Sequence, residues 1–403
     1  MLINFRTKNF LSYKEMTEFS MVAGSTKLKS DRLEKKDKFS LLKFSAIYGA
    51  NASGKSNIIN AMKVMKWMLV KGLPEVSLDI NFKLCDKCKK LPTYFEVDLS
   101  LENHNYSYGF EYYAKENKIT SEWLIDLDDN EKIVFERDVV KGYFRFEVEL
   151  PENLKNKFLV YIDDLKEDGD KLFLSFVYEK RKLFDNVNLA PMLNIANWFY
   201  KKVFITEPSA PLTSLDYYLT DDKINEIASI LKVFDTGIKS VKRVEVPIEE
   251  AEMKIPSKII EDVKKKFENK PLQKFSLMLR KGNEIWIIEH EEEYKYYKIY
   301  FYHEDVPFDP DEESDGTLRL LDLAEVLLTN ERDKVYVIDE LDRCLHPQVT
   351  CQFVKIFLEL AKIRNVQLIV TTHESRLLDF EVLRRDEIWF TNKKDGATEL
   401  YSL

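Results

Sequence analysis

Hydrophobic and polar residues recur with different periods along the chain, and each period predicts one type of element. Residues 43–48 form a compact apolar run that stops at Gly49, which is typical of a buried strand. The apolar residues after it recur at steps of four, three and four: Ile58, Met62, Met65 and Leu69. This spacing predicts a helix from about residue 56 to residue 70 with one buried face. Two shorter strands are predicted earlier, at residues 2–5 and 19–22.

The middle of the chain has period two before it becomes helical. Three alternating runs between residues 91 and 150 predict an antiparallel meander. These runs are Phe95, Val97, Leu99 and Leu101; Tyr106, Tyr108, Phe110 and Tyr112; and Phe144, Phe146, Val148 and Leu150. Residues 151–200 are predicted to be mostly helical. One further helix is predicted after Thr220 as its N-cap and another over residues 258–267, with short strands over 275–302.

The last part of the chain alternates between helix and strand patterns. Helices are predicted over residues 318–328 and 348–363, and strands over 334–338 and 367–371, followed by one more helix and one more strand. Such alternation indicates a parallel sheet in an α/β fold.

Composition excludes some classes of protein and leaves others open. The chain has 403 residues, of which 61 are basic and 70 acidic, so its net charge of −9 excludes a polycation that binds nucleic acid with its whole surface. A local basic face remains open at residues 27–38, which hold six lysines and arginines, although a solvated loop is favoured there. Hydrophobic residues make up 45% of the chain, enough for a large packed core.

The cysteines and the start of the chain predict a compartment. Four cysteines in a chain of this length do not form a disulfide framework, and Cys85 and Cys88 are expected to be ordinary loop cysteines. The first residues have the pattern of a strand and not of a signal peptide, and no apolar run approaches about 18 residues. These features predict a protein of the reducing cytoplasm that does not enter a membrane.

One eight-residue motif follows the first buried strand and opens the first helix. Residues 49–56, Gly-Ala-Asn-Ala-Ser-Gly-Lys-Ser, match the phosphate-loop pattern G-x-x-x-x-G-K-[ST] in the strand–helix context that this motif requires. Gly49 and Gly54 allow backbone N–H groups to wrap a phosphate chain at the positive end of a helix. Lys55 is expected to reach the β- and γ-phosphates of ATP, and Ser56 to bind Mg²⁺.

Two further strands end in residues that complete such a site. Asp339 ends an apolar strand, where it can hold Mg²⁺ through water, and the adjacent Glu340 can polarise the attacking water. His373 follows the strand over residues 367–371, at the position of a γ-phosphate sensor. Ser314 and Gly316 open a predicted helix and form a weaker second anion site.

Taken in this order, the motifs resemble the ABC-type ATPase heads of the RecF/SMC/OLD-like group. Within that group the chain resembles the prokaryotic ATP-binding AAA-family proteins of abortive-infection and anti-phage operons. The resemblance rests on residues 9–13, 49–56, 313–320, 338–347, 371–374 and 387–402, so it covers the two ends of the chain and is loose in the middle.

The resemblance implies a fold and four segments. The fold is an α/β ABC-type P-loop ATPase head, with a mixed sheet and an antiparallel β subdomain, plus an α/β insert without a long coiled coil. Residues 1–75 are the N-terminal part of the head and 76–150 the β subdomain. Residues 151–300 are a mainly helical or α+β insert, and 301–403 are the C-terminal part of the head.

The resemblance also implies roles for residues and partners. Ser314 and Gly316 stand in the signature position and contact the nucleotide of a second subunit, although Asp315 replaces the usual glycine. Asp342 lies in the loop that crosses the dimer, and Tyr13 contacts adenine. The remaining residues implied in nucleotide binding are Asn51, Ala52, Ser53 and Asn57. The expected assembly is at least a dimer that closes around ATP, regulates a separately encoded nuclease or toxin, and responds to DNA or a phage-derived trigger.

Two alternatives remain open. Asn392-Lys-Lys-Asp395 matches the guanine-reading pattern of GTPases, but Asp395-Gly396 is also a strong hairpin signal, and the hairpin is favoured. A RecF-like DNA-repair clamp is the other alternative, and the acidic net charge weighs against it. Since only 30 residues follow His373, nuclease activity within this chain is not expected.

Overall fold

The structure is a computed structural model that describes residues 1–102, 104–148, 160–184, 189–207, 212–268, 275–281, 283–290 and 293–403. The chain forms two compact units. Unit 1 consists of Met1–Pro208, Glu331–Leu341 and Leu358–Leu403, and unit 2 of Ser209–Asn330 and Asp342–Phe357. The four segments predicted from the sequence remain a prediction, and the boundary predicted at residue 150 lies outside the described residues.

The described strands, in chain order, are β1 (Leu2–Lys8), β2 (Thr17–Ser20), β3 (Glu34–Lys35), β4 (Ser40–Leu41), β5 (Phe44–Gly49), β6 (Thr93–Leu101), β7 (His104–Tyr113), β8 (Lys118–Asp126), β9 (Lys132–Asp138), β10 (Tyr143–Phe146), β11 (Val203–Thr206), β12 (Ser240–Val246), β13 (Phe275–Lys281), β14 (Glu284–His290), β15 (Tyr294–His303), β16 (Val306–Phe308), β17 (Val335–Ile338), β18 (Gln367–Thr371), β19 (Ile388–Lys394) and β20 (Ala397–Ser402). The described α-helices are α1 (Lys55–Lys71), α2 (Phe173–Glu179), α3 (Ala190–Asn197), α4 (Asp221–Val233), α5 (Ile248–Lys254), α6 (Ser257–Glu268), α7 (Asp315–Leu328) and α8 (Pro347–Ala361).

Unit 1 contains an antiparallel sheet whose order is β10-β9-β8-β7-β6-β1-β2. Five of its strands come from the meander predicted between residues 91 and 150, and that prediction is confirmed for the described part of the segment. Leu150 lies outside the described residues. A buried ion pair joins β8 to β9, because neither the Glu122 nor the Arg137 side chain is exposed and their atoms lie 2.8 Å apart.

The second sheet of unit 1 positions the candidate site. Its order is β11-β17-β18-β5-β19-β20, with parallel pairing throughout except for the last, antiparallel pair. In register, Thr371 lies opposite Ile47, and Thr391 lies opposite Gly49. The carboxyl ends of parallel strands meet at one edge of a sheet, where ligands of open α/β sheets bind. The α/β character predicted for the end of the chain is therefore confirmed.

The first helix, α1, packs the predicted apolar face into the core of unit 1. Ile58, Met62, Met65 and Leu69 are all at most 6% exposed, as the sequence pattern predicts. The same core receives side chains from the antiparallel sheet, among them Phe95 and Tyr108. Burial of an apolar face of this kind, rather than local propensity, supplies most of the stability of a helix in a folded protein.

Unit 2 has its own sheet and core. Its strands lie in the order β12-β15-β14-β13, with β16 added beside β15. The side chain of Thr220 accepts a hydrogen bond from the backbone N–H of Lys223 and caps α4, as predicted. Trp286 and Tyr296 lie at the centre of a small apolar cluster under α5 and α6.

Two local expectations are wrong. Instead of a helix after His373, the chain forms short 3-10 turns at Ser375–Leu377 and Arg385–Glu387. Side chains there bond to nearby backbone groups, such as Glu374 to the N–H of Arg376, and such bonds compete with a helix. Cys85 and Cys88 form a disulfide and are not ordinary free cysteines.

The end of the chain forms the hairpin that the sequence favours. Asp395 and Gly396 both have positive φ, at 50° and 79°, and they connect β19 to β20. Two central residues with positive φ are typical of the tight turns that match the twist of a hairpin. Among the described residues, no helix has the length and apolarity needed to cross a membrane.

Candidate nucleotide-binding site

The predicted phosphate loop lies between β5 and α1, where the backbone makes two left-handed turns. Ala52 and Gly54 have φ values of 61° and 106°. A Cβ atom added to Gly49 would lie 2.1 Å from the Thr391 hydroxyl, so this position has no room for a side chain. The helix that follows has no acidic residue in its first turn, so the partial positive charge of its N-terminus is not neutralised locally.

The terminal hairpin braces this loop from behind. The hydroxyls of Ser53 and Thr391 are 2.6 Å apart, and the Thr398 hydroxyl lies 2.8 Å from the carbonyl oxygen of Ser53. The Thr398 hydroxyl is also 2.7 Å from that of Ser12, which accepts a hydrogen bond from the amide of Asn57. Ser12, Thr391 and Thr398 lie in segments that carry the family resemblance, but the sequence did not predict their roles, because these depend on contacts between distant segments.

Tyr13 supports the loop from within the core. Its side chain is fully buried, and its hydroxyl donates to the carbonyl oxygen of Gly54 over 3.1 Å. Burial raises the pKa of the Tyr13 phenol well above its ordinary range, so the hydroxyl keeps its proton and remains a donor. Tyr13 is not among the residues that line the cleft described below, and its hydroxyl braces the loop; the adenine contact implied by the resemblance stays a prediction.

An open cleft of about 590 Å³ lies over the loop. Six of the twelve residues predicted to bind nucleotide line it with the two predicted catalytic residues Glu340 and His373, and so do Ser12 and Lys393, for which no role was predicted. The lining residues are Ser12, Asn51, Ala52, Gly54, Lys55, Ser56, Asn57, Glu340, His373 and Lys393. The predicted Ser53 lies just behind this surface and is 4% exposed.

Lys55 begins α1 and holds its ammonium group within the loop. Its Nζ donates to the carbonyl oxygens of Gly49 and Ala50 over 2.8 and 3.1 Å. The ammonium group is therefore already at the loop before any anion is bound. A compact, rotatable charge of this kind can turn to a phosphate without rearrangement of the backbone.

Four residues from three separate segments form one hydrogen-bonded chain beside the loop. Ser56 donates to Oδ1 of Asp339 over 3.0 Å, and Thr371 donates to the same oxygen over 2.5 Å. The Thr371 hydroxyl in turn accepts from the backbone N–H of Glu340 over 2.8 Å. The predicted metal residues are thus adjacent. Thr371 lies in a segment that carries the family resemblance, but the sequence did not predict this role for it.

Glu340 and His373 stand at the ends of two neighbouring parallel strands. Glu340 has a φ of 51°, an uncommon value for a residue that is not glycine. The backbone therefore turns at Glu340 and does not continue in the extended conformation of β17. Glu340 is half-buried and His373 exposed, and both line the cleft. Strained residues of this kind are concentrated at functional sites.

These residues fit a nucleoside triphosphate with Mg²⁺. The space at Gly49 that a Cβ atom would fill allows the loop to close tightly, as a phosphate cradle requires. The hydroxyl of Ser56 and the carboxylate of Asp339 are the hard oxygen donors that Mg²⁺ prefers. Lys55 supplies a positive charge for the phosphates.

The remaining predicted residues lie in unit 2. Ser314 is the N-cap of α7, where its hydroxyl accepts from the N–H of Thr317 over 3.1 Å. A Cβ atom added to Gly316 would lie 3.0 Å from the carbonyl oxygen of Cys344, so the helix start packs closely on the loop that follows Asp342. Ser314 is exposed and Asp342 half-buried.

Comparisons with solved structures give matches to SMC heads at low identity. An SMC head bound to the C-winged helix domain of ScpA is 14% identical with a TM-score of 0.47, and the match covers 100% of this chain and 97% of that one. The SMC head domain from Thermotoga maritima is 13% identical with a TM-score of 0.42, covering 100% and 98%. An Smc head with an extended coiled coil, bound to the C-terminal domain of ScpA derived from Pyrococcus furiosus, is 13% identical with a TM-score of 0.44, covering 100% and 96%.

Sequence comparison gives a family. No curated protein sequence matches this chain. A family model described as "AAA domain, putative AbiEii toxin, Type IV TA system" matches residues 44–146 and 140–379, which is most of the chain and includes the phosphate loop, Asp339, Glu340 and His373. The chain therefore belongs to this AAA-domain family.

Proposed function

We propose that this protein binds and hydrolyses Mg²⁺-ATP, dimerises around the nucleotide and thereby regulates a separately encoded effector, a nuclease or toxin, in anti-phage or abortive-infection defence. The observation that carries the ATPase part is the convergence of Ser56, Asp339, Glu340 and His373 beside the phosphate loop. The family description, with its putative toxin and toxin–antitoxin system, supports the defence part.

In this proposal the phosphate loop binds the triphosphate through backbone N–H groups and Lys55. Ser56 and Asp339 would hold Mg²⁺, which when bound would offset negative charge on the phosphates. The residues Asn51, Ala52, Ser53, Gly54 and Asn57 shape the loop and the start of α1 around the phosphates. The bracing hydroxyls of Thr391 and Thr398 keep this shape before binding, which lowers the cost of ordering the loop.

Glu340 acts as the general base of the proposed reaction. Its carboxylate accepts a proton from the water that attacks the γ-phosphate, and His373 donates a hydrogen bond to that phosphate group. A positioned acid or base contributes about 10²–10⁴-fold to a rate. Both side chains line the same cleft as Lys55 and Ser56.

Dimerisation gives a role to the residues of unit 2. Ser314 and Gly316 of one copy contact the nucleotide of the other, with Asp342 in the loop between the copies. The support is chemical: Ser314 is exposed at the N-terminus of a helix of 14 residues, where backbone N–H groups attract anions. ATP-dependent assembly then provides a two-state signal that an effector can read.

The test combines nucleotide binding, turnover and assembly state. Lys55→Ala should abolish ATP binding. Glu340→Gln should retain ATP binding but lower turnover about 10²–10⁴-fold and hold the protein as a dimer in light scattering. Lys394→Ala and Glu399→Gln are matched controls that remove the same charges outside the cleft. Wild-type turnover by Glu340→Gln would refute its role as the base.

The effector part needs a separate test. Co-purification with the product of a neighbouring toxin or nuclease gene, in an ATP-dependent manner, would support it. Salt-dependent DNA binding by the chain alone would instead favour the RecF-like clamp, and a clear preference for GTP over ATP would favour a GTPase. DNA cleavage by the purified chain would refute the need for a separate effector.

A further inference from the structure

One buried hydroxyl connects the two adjacent carboxylate residues of the site. Thr371 is fully buried at the end of β18, and its Oγ1 contacts Oδ1 of Asp339 over 2.5 Å and the N–H of Glu340 over 2.8 Å. Its own carbonyl oxygen also accepts from the N–H of Leu341 over 3.0 Å. Thr371 therefore forms hydrogen bonds with the three successive residues that follow β17, Asp339 to Leu341.

The direction of each hydrogen bond follows from the chemistry of the groups. The N–H of Glu340 can only donate, so the Thr371 oxygen must accept from it. The one proton of that hydroxyl is then directed to Asp339, which accepts it as a carboxylate. Because the Ser56 hydroxyl, at the start of α1, reaches the same oxygen, two donors from different segments fix the orientation of Asp339.

The same contact acts on Glu340 through its backbone. Glu340 has the uncommon φ of 51°, a conformation that costs on the order of 1 kcal/mol or more and persists where neighbouring contacts enforce it. The N–H groups of Glu340 and Leu341 both donate to oxygens of Thr371, and these two bonds enforce the turn on both of its sides. Residue 371 is therefore coupled both to the proposed metal residue and to the proposed base.

We propose that Thr371 is a positioning residue that couples Asp339 and Glu340, so that Mg²⁺ binding and water activation depend on one hydroxyl. This proposal rests on the proposed ATPase function of the site. Threonine suits this role because its methyl group packs in the buried strand while its hydroxyl reaches the edge. Residues that orient metal ligands in this way contribute about 10–100-fold to affinity or activity.

The test compares Thr371→Val, which keeps the shape but loses the hydroxyl, with Thr371→Ser, which keeps the hydroxyl. Thr371→Val should lower kcat about 10–100-fold, with KM for ATP nearly unchanged. Calorimetric titrations measure how Mg²⁺ increases the affinity for ATP. In these titrations Thr371→Val should raise the Mg²⁺ concentration that gives half of the maximal increase in affinity. Thr371→Ser should restore both values to within a few-fold of wild type.

Matched variants separate this role from loss of structure. Thr7→Val removes another fully buried threonine hydroxyl of unit 1, bonded to the carbonyl oxygen of Tyr94, and should leave kcat and the Mg²⁺ dependence unchanged. If Thr371→Val fails to fold, Thr371→Ala is measured against Thr371→Ser in the same assays. Equal effects of the variants with and without the hydroxyl, or an unchanged Mg²⁺ dependence, would overturn the proposal. Failure of the ATPase function itself would show separately, as the absence of wild-type turnover.

A second observation concerns the terminal hairpin. Side chains alternate along β19, and Thr391 contacts the loop residue Ser53, so Lys393 lies on the same face two residues later. Lys393 lines the cleft, whereas Lys394 does not. The pattern Asn392-Lys-Lys-Asp395 thus forms a hairpin and also carries a cation to the cleft.

We infer that Lys393 is a second cation for the phosphate chain, in addition to Lys55, an inference that also rests on the proposed nucleotide site. Calorimetry should show Lys393→Ala weakening ATP binding about 3–10-fold, as expected for a loss of about 1 kcal/mol. Lys394→Ala should bind ATP within twofold of wild type. Equal affinities for the two variants, or an equal loss of adenosine binding in Lys393→Ala, would overturn the assignment to phosphate. Lys55→Ala tests the nucleotide site independently.

Discussion

Gly49 of the phosphate loop packs against the terminal hairpin, so Gly49→Ala tests whether the hairpin supports the loop. The added methyl group would lie 2.1 Å from the Thr391 hydroxyl, 2.5 Å from the Ser53 hydroxyl and 2.7 Å from the carbonyl oxygen of Thr391. Ordinary contacts of a Cβ atom begin near 3.4 Å. Because one of these neighbours is a backbone atom, rotation of side chains alone cannot relieve the overlap.

The cost of this substitution can be built from its parts. Forcing an extra methyl group into a packed site costs about 1–3 kcal/mol. Separation of the loop from the hairpin also loses the hydrogen bond between Ser53 and Thr391, which contributes about 0.5–1.5 kcal/mol. A total of roughly 2–4 kcal/mol corresponds to a fall in melting temperature on the order of 4–16 °C, at about 2–4 °C per kcal/mol.

Thermal unfolding followed by circular dichroism measures the stability, and calorimetry measures ATP binding. We expect Gly49→Ala to melt earlier and to lose most of its ATP affinity, because the loop can no longer close behind the phosphates. Gly24→Ala is the control, since its added Cβ atom would lie 3.4 Å from the nearest atom and should be tolerated. Thr391→Ala combined with Gly49→Ala should rescue stability only in part, because the carbonyl contact remains. Wild-type melting and ATP affinity in Gly49→Ala would refute the bracing role of the hairpin.

Two further predictions concern buried charges outside the site. Arg137→Met should destabilise unit 1 by about 3–5 kcal/mol, because it leaves the Glu122 carboxylate buried without its partner. Lys141→Met, which breaks an exposed pair, should change the free energy of unfolding far less, because water screens that pair; equal effects of the two variants in denaturant melts would contradict this reasoning. Burial raises the pKa of Glu387 from 4.5 to about 7, so its stabilising contribution is complete below pH 4.5 and is lost as pH rises through 7, a change of roughly 3 kcal/mol. Glu387→Gln should therefore flatten the pH dependence of the melting temperature between pH 4.5 and 8, and an unchanged slope would refute the assignment.

The parts of the fold that depend on local pattern could be predicted from the sequence. The period-two runs of the meander and the apolar face of α1 are set by neighbouring residues, and both agree with the structure. The short turns after His373 could not be predicted, because bonds such as that of Glu374 to a backbone N–H outweigh a weak helical pattern. The pairing of Cys85 with Cys88 depends on how the loop folds back, with Cα atoms 5.2 Å apart, and spacing alone does not determine it.

The candidate site divides in the same way, and for a physical reason. The phosphate loop acts mainly through its backbone, so it needs glycines at fixed spacing. A motif of eight consecutive residues can therefore be recognised in the sequence. The supporting hydroxyls of Ser12, Thr371, Thr391 and Thr398 act through side chains, and any strand end that reaches the same sheet edge can supply them. Thr371 is 32 residues from Asp339, and Thr391 is 338 residues from Ser53, so only the strand order β17-β18-β5-β19 brings them together. If these hydroxyls position the site as proposed, the roles of the residues that tune its activity follow from the fold and not from a local motif.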